Sequence, residues 1–204
     1  SFMDFGFGGR GYRFEEVYEG QFAEAVPVRL DLDTANGRLE LKSWDGPGWK
    51  AIVKLHVRGR DEADARRRAS ELCRFESRDN AILFDARRIH GLNCGAGVEL
   101  LLPRSHRYTL EARTANGRID SEDVNYQGFR AKTANGRIVL EGGEADIVSV
   151  HTANGGTTIG ARVRDVDAGT ANGSIAVVPR GEGEIRLSLS TANGSIKVQA
   201  DGAM

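Results

Sequence analysis

Apolar and polar residues alternate over most of this chain, and the alternation is interrupted at one recurring tetrapeptide. Leu30, Leu32 and Thr34 share one parity before Asn36-Gly37, and Leu39 and Leu41 resume it afterwards; Leu187, Leu189 and Thr191 likewise precede Asn193-Gly194, followed by Ile196 and Val198. A period of two predicts strands with one buried face. Thr-Ala-Asn-Gly (TANG) occurs six times, at 34–37, 114–117, 133–136, 152–155, 170–173 and 191–194. Asn tolerates and Gly favours positive φ, so Asn36-Gly37, Asn116-Gly117, Asn135-Gly136, Asn154-Gly155, Asn172-Gly173 and Asn193-Gly194 read as structural turns. The threonines share the parity of the apolar residues and are expected to face inward.

The asparagines of the last five copies are separated by 19, 19, 18 and 21 residues, a period typical of units that stack on their neighbours. A hairpin needs Asn-Gly but has no reason to keep Thr and Ala before it in every copy. Stacking supplies one, because equivalent residues of successive coils sit about 4.8 Å apart and identical Asn side chains can bond as a ladder. The expected fold is therefore all-β, a single-stranded β-solenoid with coils of about 19 residues and one short helix near the N-terminal end. A β-meander or sandwich is the alternative. The polar or glycine-rich stretches "SEDVNYQG", "EGGEAD" and "PRGEGE" are expected to be loops at one edge.

One segment carries helical rather than strand periodicity. In 61–75, Asp61 is placed as an N-cap, Asp64 in the first turn, and Ala65, Ala69 and Leu72 on one stripe. Strands are expected on either side, at 50–58 and 80–87, with the helix covering an open end of the stack. Arg66, Arg67 and Arg68 read as a solvated helix face rather than an anion site. The division expected is 1–16 as tag remnant ("SFM") and flexible Gly/Phe linker, and 17–204 as the repeat domain, with 17–97 holding the N-terminal strands and helix and 98–204 the regular coils.

Composition narrows the chemistry. Lysine plus arginine total 28 against 29 acidic residues, so no basic excess draws the chain to nucleic acid, and no apolar run is long enough for a membrane-spanning helix. The 26 glycines favour many short strands punctuated by turns. Cys73 and Cys94 lack metal spacing and read as separate thiols, with a single bridge left open. His56, His90, His106 and His151 are scattered, and no Walker loop, GxSxG, HExxH or calcium-binding nonapeptide is present. No cofactor or metal is expected. Asp120, Glu122, Asp123, Glu141, Glu144, Asp146, Asp165 and Asp167 fall in successive units and could meet along a groove, as in polysaccharide-processing β-helix enzymes; the simpler reading is a polar outer surface. Trp44 and Trp49, bracketing "WDGPGW", are a candidate surface for a sugar or protein, or else a hairpin whose rings pack on the core.

The early strand-NG-strand unit at 30–41, the strands around a helix at 50–87, the segment "VELLLPRSHRYTLEARTANGRI" at 98–119 and the serial TANG units that follow together resemble the bacterial putative adhesin family of β-strand-repeat domains. The likeness spans about Val17 to Ala200. It implies a β-solenoid-like fold, a place in the bacterial envelope, and no established catalytic residue. The expected role is a non-catalytic module binding a protein or cell-surface glycan. A self-assembling structural element, joined through the ends of the stack, and a polysaccharide-processing enzyme are the alternatives.

Overall fold

The structure is a computed structural model and describes residues 9–24 and 26–200. It contains β1 (Arg10–Gly20), β2 (Val28–Asn36), β3 (Leu39–Trp44), β4 (Trp49–Gly59), α1 (Glu62–Leu72), β5 (Arg74–Arg78), β6 (Ala81–Ala86), β7 (Gly95–Pro103) and β8 (Tyr108–Asn116). Then follow β9 (Ile119–Glu122), β10 (Tyr126–Asn135), β11 (Ile138–Asn154), β12 (Thr157–Asn172), β13 (Ile175–Val177), β14 (Arg186–Asn193) and β15 (Ile196–Val198).

All fifteen strands belong to one sheet, with an eleven-strand path in the order β1-β4-β7-β3-β9-β11-β10-β8-β2-β6-β5. The path doubles back at β11, whose first residues pair with β9 and whose second half pairs with β10, both in parallel. Its two edge strands come together, with Tyr18 of β1 stacked on Phe75 of β5 at 4.3 Å between ring centroids. The result is a nearly closed, barrel-like sheet.

This overturns the expected single-stranded β-solenoid. Antiparallel pairs, β1 with β4, β4 with β7 and β5 with β6, build the N-terminal part of the sheet, which no uniform coil repeat describes. The expected "EGGEAD" loop is also absent: β11 runs through it, with a register shift between Glu141 and Glu144 against β12. Gly142 and Gly143, at φ 69° and 65°, let the strand bend there without leaving the sheet. The meander is not formed either, since most neighbours are parallel and non-consecutive. Part of the expected linker is corrected too. Residues 1–8 of it lie outside the described residues, but Arg10–Gly20 pairs along its whole length with β4.

The inward parity of the strands fills the interior. Leu30, Leu39, Leu100, Leu110, Ile119, Phe129 and Ile138 are fully buried. Each such side chain contributes roughly 1.5–3 kcal/mol through burial. The buried Tyr108 hydroxyl donates to the Pro103 carbonyl at 2.8 Å, and that of Tyr126 lies 2.6 Å from Ser121 Oγ. Both polar tips are satisfied inside the core.

Helix α1 starts where its cap predicts, with the Asp61 side chain accepting from the Asp64 amide at 2.8 Å. Ala65 and Ala69 are buried and Leu72 half-buried. Asp64 in turn accepts from the Arg60 amide at 2.9 Å and from Arg67 at 2.7 Å, which holds its carboxyl down to about 2. Arg66 pairs with Glu62, and Arg67 and Arg68 with Asp64, so the charges of these arginines are matched within the helix.

Candidate interaction surface along the repeat corner

The six TANG copies stack in register. Thr34, Thr114, Thr133, Thr152, Thr170 and Thr191 are successive partners, as are Asn36, Asn116, Asn135, Asn154, Asn172 and Asn193. Each asparagine Nδ2 donates to the Oδ1 of the preceding copy at 2.8–2.9 Å, and Asn36 anchors the row by donating to the Cys94 carbonyl at 3.1 Å. Each threonine hydroxyl donates to the backbone of the layer before it, as Thr133 does to Gly117 O at 3.1 Å and Thr152 to Gly136 O at 3.0 Å.

Glycine is required by close approach between layers. A Cβ on Gly136 would lie 1.8 Å from Gly117 O, and one on Gly117 would lie 1.9 Å from Gly37 O. In the first five copies the glycine N–H donates in the other direction, as Gly117 does to Asn135 O and Gly136 to Asn154 O at 3.0 Å. The asparagines do not use the left-handed backbone conformation that suggested a turn. Among the described residues the non-glycines with positive φ are Asp79, Asn80, Asn93 and Asp123, all outside the motif. Asn is there for its side-chain amide.

Three of the four motif residues are thus committed to bonding between layers. The alanines are not: Ala115, Ala134, Ala153, Ala171 and Ala192 are exposed. Ala115, Ala134 and Ala153, with Ala35, form the floor of a shallow groove of about 630 Å³, walled by Asp33, Arg87, Arg113, Lys132 and His151. Arg113, Lys132 and His151 are in register three residues before each asparagine, and Arg118 and Arg137 stand two residues after it. Cationic positions therefore flank the amide row on both sides over the second and third copies. The last two copies carry Gly169 and Ser190 on one side, Ser174 and Ser195 on the other.

At the N-terminal end of the row the surface continues into a second groove of about 650 Å³. Gly95 and Gly97 leave it a low floor, and Arg13, Lys54 and His56 from paired β1 and β4 stand along it. The basic flanks of TANG were visible in the sequence as "RTANGRI" and "KTANGRI", but their convergence depends on register. The second groove had no local signal, because β1, β4 and β7 meet only through long-range pairing.

Other expected sites disperse. Trp49 is buried, 5.9 Å from the Phe75 ring and 6.1 Å from Phe22, so it is core rather than binding surface. Trp44 is half-buried and its indole donates to Gly48 O at 2.8 Å. The carboxylates divide. Asp120, Glu122 and Glu141 lie on one outer strip, Glu144 and Asp146 beside the loop containing Glu182 and Glu184, and Asp165 and Asp167 on another strip of β12. Asp120 is held by Arg38 at 2.9 Å and Arg118 at 3.0 Å. No group of histidine, cysteine and carboxylate suited to a metal exists among the described residues. Cys73 and Cys94 are unbridged, and burial, then Glu16 and Asp85, push the Cys73 thiol up to about 12.

No protein-family model and no curated protein matches this sequence. Solved structures do resemble it. A putative cell adhesion protein from Clostridium sporogenes superposes with a TM-score of 0.59 at 12% identity, over 93% of this chain and 100% of that one. A putative adhesin from Bacteroides fragilis gives 0.47 at 15% identity, over 92% and 97%. At such identity the Clostridium likeness concerns the fold.

Proposed function

We propose that this chain is a non-catalytic, adhesin-type binding module of a bacterial cell surface that holds a protein or glycan partner on its outer face. The observation that carries this reading is the division of labour within the repeat. Its inward residues are spent on packing and interlayer bonds, while its outward residues present a long, regular corner of amides, methyl groups and cations. Such an extended, repetitive face suits binding over a broad area. The likeness in fold to a putative cell adhesion protein supports the same direction. The dispersed carboxylates and the poorly nucleophilic Cys73 thiol give no reason to assign a reaction.

A pull-down from bacterial envelope fractions, run beside a glycan array, tests the proposal with heat-unfolded protein as the control. Saturable retention by the folded domain alone, competed by the free ligand, is the expected result. Loss of nothing on unfolding would sink it.

A second reading has its own observation. β14 pairs only with β12 and β15 only with β13, so both have an open edge among the described residues, and Ile196 and Val198 are 44% and 50% exposed beside them. Self-association through this edge would make the protein a structural element. Light scattering that shows a concentration-dependent mass, abolished by Ile196→Lys, would favour it.

A further inference from the structure

We infer that the TANG corner is a binding site for an acidic polysaccharide lying along the amide row. This rests on the binding-module reading and names the ligand class and the surface. Three properties of the row act together.

The first is unspent hydrogen-bonding capacity. A primary amide has two N–H donors and two acceptor lone pairs on oxygen, and the ladder uses one of each. Asn116, Asn135 and Asn154 are exposed, so each offers solvent one donor and one acceptor, repeated at the layer spacing of about 4.8 Å. A polymer bearing hydroxyl groups at regular intervals matches that pattern.

The second is charge. Lys132 and Arg137, on opposite sides of Asn135, are exposed and make no ion pair with another described residue. Arg113 and Arg118 extend the same two lines to the second copy, and His151 takes the Lys132 position in the fourth, 4.0 Å from Asp167. Arg113 and Arg118 each also pair with one carboxylate, Glu111 at 3.3 Å and Asp120 at 3.0 Å. Asp33 is the acidic exception at the first copy, where Arg87 faces it at 3.7 Å. A protein of net charge −1 thus concentrates cations beside one short stretch of corner. Carboxylate or sulfate groups on the polymer complement it.

The third is the floor. The methyl groups of Ala115, Ala134 and Ala153 make it flat and apolar, suited to the face of a sugar ring and lacking the side-chain pockets with which a peptide is read. The backbone N–H groups of Gly117, Gly136 and Gly155 already donate to the next layer, which leaves the corner no free strand edge for adding a peptide strand. A glycan is therefore favoured over an acidic polypeptide.

The test is binding of the whole chain to polygalacturonate and dextran sulfate by biolayer interferometry, with uncharged dextran and polyglutamate as comparators, at low and high salt. Both acidic polysaccharides are expected to bind, dextran and polyglutamate to bind much more weakly, and added salt to reduce the affinity. Lys132→Glu combined with Arg137→Glu should weaken binding by roughly tenfold or more. Arg162→Glu with Arg164→Glu, an equal charge change at exposed positions beside the 178–185 loop, should leave it unchanged. Matching thermal melts would show that both variants fold. Equal losses in the two variants, equal binding of dextran, or stronger binding of polyglutamate would each overturn the inference. Silence with every acidic polysaccharide, alongside saturable retention of an envelope partner, would overturn this inference and leave the binding-module reading standing; silence in both would remove both.

Discussion

The third and sixth TANG copies share one motif and the same bonds to the layer before, but not one environment. Thr133 donates to Gly117 O at 3.1 Å and Thr191 to Gly173 O at 2.9 Å; Asn135 donates to Asn116 and Asn193 to Asn172, both at 2.8–2.9 Å. Yet Thr133 is 1% exposed, whereas Thr191 and its neighbours Leu187 and Leu189 are only half-buried. The threonine and asparagine donor bonds reach the layer before, which both copies have, whereas acceptance by the asparagine Oδ1 and donation by the glycine N–H need a layer after. Burial also needs a layer after, which the sixth copy lacks among the described residues. At the other end, β1, β5 and α1 supply cover with the Tyr18–Phe75 stack and the Arg66 guanidinium 4.5 Å over Phe14.

If burial depends on neighbours, equal truncations should differ most between middle and end. Phe129→Ala, in the closed interior, is expected to cost about 3–5 kcal/mol in urea unfolding. Leu189→Ala should cost roughly 1–2 kcal/mol because its side chain is already partly hydrated. Equal costs would show that the C-terminal end is covered in solution.

Close approach gives the next effect. Gly136→Ala places a methyl group against Gly117 O with layers on both sides, and should destabilise by about 2–3 kcal/mol. Gly194→Ala meets Gly173 O at 1.9 Å, but no layer follows it among the described residues, so a smaller loss is expected from the same measurement. A Gly136→Ala protein as stable as the parent would mean that the layers are not held this tightly.

The glycines also show where the sequence was legible and where it was not. Repetition shows that the copies stack and that Thr faces inward, and local helical periodicity shows that Asp61 caps a helix, because each depends on identity between copies or on residues close in the chain. The turn chemistry of Asn-Gly suggested positive φ for the asparagine, while the structure uses its amide instead, and no single copy contains that information. The global shape was misread for a related reason. A regular period describes the chain from β8 onward, but the sheet is closed by β1, β4, β5 and β7, whose antiparallel pairing leaves no period to detect. Trp49 belongs to the same class: its neighbours Phe22 and Phe75 are 27 and 26 residues away, so neither burial nor aromatic packing was visible locally.

Removing the amide itself should matter less than crowding the glycine. Asn135→Ala deletes one bond to Asn116 and one from Asn154, while Asn193→Ala deletes only that to Asn172. At about 0.5–1 kcal/mol for each exposed bond, the losses expected are roughly 1–2 and 0.5–1 kcal/mol. Asn135→Ala with Asn154→Ala should fall short of the sum, because the two singles share one bond. Strict additivity in thermal or urea melts would argue that the amides act alone and not as a row.

The smallest effect expected is a pH dependence confined to the N-terminal half. Glu40 faces Glu99 across the β3/β7 pairing, and burial followed by the hydrogen bond between the two carboxyls raises the Glu40 pKa, against the opposing pull of Arg38. A carboxyl with a raised folded-state value binds its proton more tightly when folded, so its contribution is fully present below the ordinary glutamate value of 4.5 and is lost as pH rises through the raised one. Glu99→Gln supplies an amide that can donate to the Glu40 carboxylate at any pH, and should flatten that decline in melts recorded from pH 4 to 7. In the layers after Asp120 the same outward column continues as Val139, Thr158 and Ala176, which do not titrate. Amide exchange should therefore report the pH-dependent loosening in β3 and β7 but not in β13. A uniform response across both would show that the ends of the sheet are coupled more strongly than their separate layers imply.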